Sequence, residues 1–285
     1  MRKTRILARA APGHFRGSAA GRAIARRVHR RCVIIDAVNV HTKRLPRVYF
    51  PGEVAAHGVC ELPPKQSHHI GRVLRLATGD ALILFDGRGN EYDATIERLG
   101  KARVTLTTGD ARQVDRESPL DVTLAQGIST GERMDYTVQK AVELGVSAVQ
   151  PLTTERSVVR LDAERASRRV AHWQSIAVSA CEQCGRNLVP AVHAVKTLTA
   201  WLGPPAAHAC RITLAPEASM RLAELPRAAG AIVLLVGPEG GLSPRERADA
   251  VAMGFVAARL GPRVLRTETA AVAALAALQT LWGDF

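Results

Sequence analysis

The chain has 285 residues, 47% of them hydrophobic, and a net charge of +13. This length holds two domains with cores of their own, and no apolar run approaches the roughly 20 residues of a membrane-spanning helix. The charge is concentrated in residues 1–45, where 12 Lys/Arg face Asp36 alone, while 46–285 carry only +2. A nucleic-acid partner for the body must therefore be argued from local patches rather than from the total.

Residues 1–45 read as a basic, disordered extension, rich in Arg and without a sustained apolar period. A transit peptide shares this composition. So does sequence translated upstream of a mis-set start, and a Val codon can serve as a start, which makes Val40 a candidate beginning. The five cysteines (Cys32, Cys60, Cys181, Cys184 and Cys210) form no even framework, which points to a reducing cytoplasm.

From 46 to 112 the pattern is β-rich. Ala81-Leu-Ile-Leu-Phe85 is an apolar strand ending in the hairpin signal Asp86-Gly87, and 92–96 and 102–107 alternate. One helix is predicted over 65–76, stopped by Gly79; short strands with one helix suggest a small barrel. Residues 113–119 are polar, end in Pro119 and read as a linker. Beyond them, from 120 to 285, strands near 120–126, 147–152, 189–194, 211–215, 231–236 and 255–260 alternate with helices near 131–144, 162–182, 244–253 and 268–282. That rhythm marks a mainly parallel α/β sheet.

Three strand ends in this second part are built alike: Leu214-Ala-Pro-Glu217, Val236-Gly-Pro-Glu239 and Leu260-Gly-Pro-Arg263. Ligands of open α/β sheets bind outside the carboxyl ends of strands, so three similar ends suggest one shared pocket. The middle turn has Gly237, Gly240 and Gly241, which permit positive φ and close approach of backbone to ligand. Ser243-Pro-Arg-Glu246 then reads as a capping box with proline at the first helical position. It is neither a phosphate loop nor a dinucleotide fingerprint. Backbone groups of such turns suit the edge of an adenine, Leu260, Val264 and Leu265 could cover its face, and Glu239 or Glu268 favours a positive sulfonium. That combination fits S-adenosylmethionine.

Cys181-Glu-Gln-Cys184 has the spacing of half a metal site or of a redox pair, but without a second ligand pair it reads better as structural, and no metal is expected. Arg186, after the helix-ending Gly185, is a cation near the cleft or a C-terminal cap. On helix 131–144 the residues off the apolar stripe, among them Gln139, Lys140 and Glu143, read first as a solvated face. His68, Arg72 and Arg75 share one α-helical face, with His69 and Arg47 near in sequence; arginine there suits phosphate contact, and a solvated basic face is the plainer alternative.

Together these motifs resemble one family, the RsmE uridine-N3 methyltransferases of small-subunit (16S) ribosomal RNA, within the knotted SPOUT superfamily. The landmarks are Pro46-Arg-Val-Tyr-Phe50, His69-Ile-Gly-Arg-Val-Leu-Arg75, Phe85-Asp-Gly87, Arg116-Glu-Ser-Pro119 and Gln139-Lys-Ala-Val-Glu-Leu-Gly145. They continue with Ala180-Cys-Glu-Gln-Cys-Gly-Arg186, Gly237-Pro-Glu-Gly-Gly-Leu-Ser243 and Leu260-Gly-Pro-Arg-Val-Leu-Arg-Thr-Glu-Thr269. The resemblance spans residues 46–285. It implies an α/β protein with an N-terminal PUA-like small β-barrel that binds RNA, then a SPOUT methyltransferase domain with a C-terminal trefoil knot, which periodicity alone would not predict. It also implies a homodimer. S-adenosylmethionine would sit against Leu214, Ala215, Pro216, Val236, Gly237, Pro238, Glu239, Gly240, Gly241, Leu260, Gly261, Val264, Leu265, Arg266 and Thr269. In the expected mechanism Arg266, with Arg186, stabilises the uracil oxygens, and Glu268 or Glu239 acts as base or organiser. Arg47, His68, His69, Arg72 and Arg75 are the expected RNA contacts, on free ribosomal RNA or the assembled small subunit. Rival readings are a methyltransferase of this fold for another RNA or atom, a non-catalytic RNA-binding assembly factor, and a metal or redox protein built on Cys181 and Cys184.

Overall fold

The computed structural model describes residues 45–285 except 101–102 and 205–208; the expectations for 1–44 lie outside the described residues. The first sheet contains β1 (Arg47–Tyr49), β2 (Val59–Glu61), β3 (Ala81–Phe85), β4 (Asn90–Leu99) and β5 (Val104–Gln113), in the order β1-β3-β4-β5-β2. β1 runs parallel to β3 and the other pairs are antiparallel. The alternation seen in sequence places Tyr92, Ala94 and Ile96 of β4 and Val104 and Leu106 of β5 in one buried cluster with Val48, Leu62, Ile70, Leu82 and Leu84. The turn after β3 is tied by Asp86, whose carboxylate accepts from the backbone N–H of Arg88 at 2.7 Å and of Asn90 at 3.2 Å.

The helix predicted over 65–76 begins as α1 (Pro64–His68) but widens into a π-helix over His69–Leu74, ended by Arg75 at φ 53°. Ser67 pins its start by donating to Leu62 O and accepting from Val104 N–H, both at 3.0 Å, and Ile70 stays in the core at 0% exposure. The α-helical face that would join His68, Arg72 and Arg75 is therefore not formed: Arg75 lies beyond the helix as a left-handed cap.

In the second sheet every pair is parallel, with strands β6 (Val122–Gly127), β7 (Ala148–Thr153), β8 (Ala191–Val192), β9 (Lys196–Thr197), β10 (Cys210–Leu214), β11 (Ile232–Val236) and β12 (Val256–Ala258). The order is β12-β10-β11-β6-β7-β8, and β9 also pairs with β7. The helices are α2 (Glu132–Glu143), α3 (Ala163–Cys184), α4 (Leu198–Trp201), α5 (Pro244–Ala252) and α6 (Thr267–Trp282). Both sheet faces are covered, which explains the continuous apolar strands. Val122, Leu124, Ile232 and Leu234 pack with residues of α2, α3 and α6, whereas Ala125 and Leu235 pack with Leu198, Leu242, Ala250 and Phe255. The strand expected over 189–194 is shortened to β8, and β9 follows beyond that range; between them the amide of Gln150 donates to Ala194 O at 2.8 Å. α4 had no signal in the sequence.

Of residues 113–119, expected as a linker, Gln113 ends β5, and the rest are fastened to the first sheet and to the end of α3. Arg116 donates to Glu91 at 3.1 Å and to Gly185 O at 3.0 Å, and Glu117 accepts from Arg186 Nε at 2.8 Å. Phe85, at the end of β3, is fully buried in the core of the second sheet. The result is the α/β architecture that the resemblance implies, a unit built on a five-stranded sheet followed by a unit built on a parallel sheet.

Candidate active site

The three Pro turns meet at the carboxyl ends of β10, β11 and β12 around a cavity of about 630 Å³, within the size range of small-molecule sites. Of the residues expected against the donor, all but Thr269 line it. Thr269 is exposed, and the neighbouring Thr267 does the structural work instead. Its hydroxyl donates to Gly237 O at 2.6 Å and accepts from the amide of Gln126 at 2.9 Å, tying the start of α6 to the ends of β6 and β11. The glycines are needed for space. A Cβ on Gly237 would lie 2.9 Å from Leu242 N, one on Gly240 would lie 3.1 Å from Arg156 Cβ, and Gly241 has φ +66°. Val236, Leu260 and Leu265 give the wall an apolar surface, and Val264 stands 81% exposed at the rim.

Charge at the wall is mostly positive, six arginines against three glutamates. Four of the arginines are committed. Arg133 pairs with Glu239 at 2.9 Å, Arg156 donates to Gly240 O at 3.1 Å, Arg247 to Leu242 O at 2.9 Å, and Arg259 to Ala218 O at 2.7 Å. The side chains of Arg263 and Arg266 make no hydrogen bond or ion pair among the described residues. Arg266 is also the N-cap residue of α6, with no side-chain capping bond. In the first turn of that helix, Glu268 lines the cavity with a buried carboxylate oxygen, Oε2, that has no partner. A buried acceptor without a donor is costly, and a bound ligand would relieve it. The enclosed glycine turns, apolar wall and orphaned acceptor fit S-adenosylmethionine.

Glu239 is differently placed. Its Oε1 accepts from Thr130 N–H at 2.8 Å, the Thr130 hydroxyl at 2.7 Å and Arg133 at 2.9 Å. Burial alone would raise its pKa, but these donors outweigh it and hold the carboxyl down at about 2. So weak a base suits an organiser that fixes the loop at Thr130 and the Arg133 guanidinium, and it does not suit a proton acceptor near neutral pH.

Two expected site residues lie elsewhere. Arg186 is 6% exposed and lies outside the cavity lining. Its guanidinium is spent on Glu117 and on the carbonyls of Val142 and Val146, each at 2.9 Å, so it braces the C-terminal end of α2 and cannot serve uracil oxygens. Arg47 is equally unavailable to RNA. It is paired with Glu91 at 2.6 Å, bonded to Asn187 and stacked 4.8 Å from the centre of the Phe85 ring. His68 and His69 line a separate cleft, and Arg72 and Arg75 are exposed. Cys181 is buried, and burial pushes its thiol up to about 12, which leaves it inert near neutral pH. Sequence reasoning missed Gln126, Thr130, Arg156 and Thr267. Their roles depend on residues tens of positions away, and only Thr267 lay inside a motif already singled out.

Comparison with known proteins agrees with this geometry. The family model for an RNA methyltransferase domain matches residues 116–279, and that for an RNA methyltransferase PUA domain matches residues 62–108. Ribosomal RNA small subunit methyltransferase E of Buchnera aphidicola (from Schizaphis graminum) is 34% identical over 242 residues, which are 85% of this chain and 98% of that protein. The Bacillus subtilis protein of the same name is 32% identical over 223 residues, covering 75% and 87%. A crystal structure of the Neisseria gonorrhoeae ribosomal RNA small subunit methyltransferase E bound to S-adenosylmethionine superimposes with a TM-score of 0.79 at 42% identity, over 85% of this chain and all of that one. A Legionella pneumophila structure holding the same molecule as bound cofactor gives 0.82 at 41% identity, again over 85% and 100%. With the site and these similarities in agreement, the chain belongs to the ribosomal RNA small subunit methyltransferase E family.

Proposed function

We propose that this protein methylates N3 of one uridine in 16S ribosomal RNA, with S-adenosylmethionine as methyl donor. Residues 46–112 grip the RNA, 113–119 join the two parts, and 120–285 carry the transfer. The homodimer, the assembled small subunit as substrate and a cytoplasmic setting belong to this reading and rest on the family resemblance. The observation that carries the chemistry is the pairing, in one glycine-walled cavity, of an uncommitted Arg266 with a Glu268 carboxylate whose buried oxygen lacks a donor.

When bound, S-adenosylmethionine supplies an electrophilic methyl group on a positively charged sulfonium. Uridine N3 is a poor nucleophile while it holds its proton. Glu268 accepts that proton, and the charge left on the base spreads to O2 and O4, where Arg266 donates. The apolar wall from Val236, Leu260 and Leu265 excludes water, which strengthens both interactions. Glu239 holds Arg133 and the Thr130 loop at the cavity edge. Because N3 lies on the pairing edge, the target is read unpaired or flipped out.

The test is transfer of a labelled methyl group to small subunits that lack the modification, followed by primer extension. A methyl at N3 blocks pairing, so reverse transcriptase should stop at one uridine. Methylated RNA without a stop would point to another atom, and failure to bind donor in calorimetry would leave a non-catalytic assembly factor.

A further inference from the structure

A second cleft, of about 390 Å³, lies between the first sheet's helix and α3 and shares no residue with the donor cavity. One wall has Lys65, His68 and His69. The other is a stripe of α3 at helical spacing, from Ala171 through Ser175 to Glu182. Lys65 brings a cation to the cleft lining, and the stripe continues toward the helix start at the exposed Arg168, which pairs with Glu164 at 3.5 Å. Tyr49 and His69 supply aromatic surface within it. Cations for phosphates beside aromatic rings for bases are the components of single-strand recognition.

Glu182 does not fit a plain phosphate groove, since a carboxylate repels RNA unless it reads a hydrogen-bond donor. Its Oε1 accepts from the Tyr49 backbone N–H at 3.1 Å, and no other hydrogen bond or cation within ion-pair range reaches it among the described residues. Burial pushes its pKa up, against the weaker pull of the Tyr49 N–H and nearby cations, so the charge is under-compensated. Gln174 cannot share the task, because its amide donates to Pro190 O at 3.0 Å and accepts from Val192 N–H at 2.9 Å.

We infer that this cleft holds an unpaired nucleotide of the substrate RNA and that Glu182 selects a base bearing an exocyclic amino group. The inference rests on the reading of the chain as an RNA methyltransferase. Adenine, cytosine and guanine offer such an amine to a carboxylate, whereas uracil flanks its only N–H with two carbonyls that repel one. A nucleotide of the substrate other than the target is thus read by residues outside the methyl-donor cavity.

Short single-stranded RNAs of adenosine, cytidine or uridine, titrated at low salt by fluorescence anisotropy, test this. Adenosine and cytidine oligomers should bind about fivefold more tightly than uridine, the worth of one net hydrogen bond. In Glu182→Gln the amide oxygen keeps the Tyr49 N–H and the NH₂ replaces the free oxygen, so the preference should fall below about twofold or reverse. S-adenosylmethionine affinity of the variant, by calorimetry, reports that it is folded. Independently of any variant, replacing cytidine by N4,N4-dimethylcytidine should weaken binding to the wild-type protein about fivefold. Equal affinity for the three oligomers, a preference that survives Glu182→Gln, or indifference to dimethylation would each overturn the inference. Methyl transfer to small subunits, measured in parallel, separates the two readings. Intact transfer with flat base preference sinks only the cleft, and absent transfer sinks the enzyme.

Discussion

Four arginines in family-like motifs, at 47, 186, 263 and 266, look alike in the sequence, and their surroundings divide them. Arg47 and Arg186 are buried by partners far along the chain, Glu91 and Asn187 for one and Glu117 for the other. No local pattern encodes those pairings, which is why Arg47 was expected to contact RNA and Arg186 to serve the uracil oxygens. Arg263 and Arg266 sit on a turn whose geometry is local, and there the sequence was legible. Arg266→Ala should lower turnover by on the order of 10²–10³, the effect of removing one donor to a developing oxyanion. Donor affinity by calorimetry should stay within about threefold of wild type, as expected for a group that acts only in the transition state. Equal losses in both would remove its assigned role.

Among the elements, strands and helices of the second sheet were readable because both signals are short-range: continuous apolar runs for strands buried on two faces, and 3.6-residue periods for helices. The π-turn at His69–Leu74 and the gap between β8 and β9 were not; at the gap the amide of Gln150 takes Ala194 O, a contact 44 residues apart that no local pattern encodes. Gly127 shows the same limit. It ends β6 without any turn signal, yet a Cβ there would lie 2.5 Å from Pro238 N and 2.6 Å from Pro238 Cδ, backbone and ring atoms that cannot swing away. Gly127→Ala should therefore push the middle turn outward, weakening S-adenosylmethionine binding at least about tenfold and lowering stability by about 1–3 kcal/mol. Gly71→Ala, with nothing within 4 Å of its added carbon, is the matching control and should leave donor binding unchanged.

At the scale of the molecule, the two-part architecture was legible from the change of rhythm near residue 119, while the knot came only through resemblance. What couples the parts is a buried ionic joint. Glu91, its side chain 3% exposed, accepts from Arg47 and Arg116 and lies 3.5 Å from Arg112. Glu91→Ala strands the buried Arg47 and should cost about 3–5 kcal/mol in urea unfolding. Burial opposes ionisation of Glu91, but Arg47 and Arg116 outweigh it and its pKa is lowered. Its stabilisation is thus complete above the ordinary glutamate range, near pH 4.3, and is lost as the pH falls through the depressed folded value. The wild-type protein should lose stability on acidification below that range more steeply than Glu91→Ala does; parallel curves would show that the joint carries no such charge linkage.

The hydrogen bonds of Thr267 to Gln126 and Gly237 join positions 141 and 30 residues apart. A ribosome making this chain releases the first sheet and the first parallel strands long before α6 emerges, and domains form largely in that order. Until the final helix arrives, the nascent protein has no complete chamber for a methyl donor. Chemical competence is the last property the polypeptide acquires.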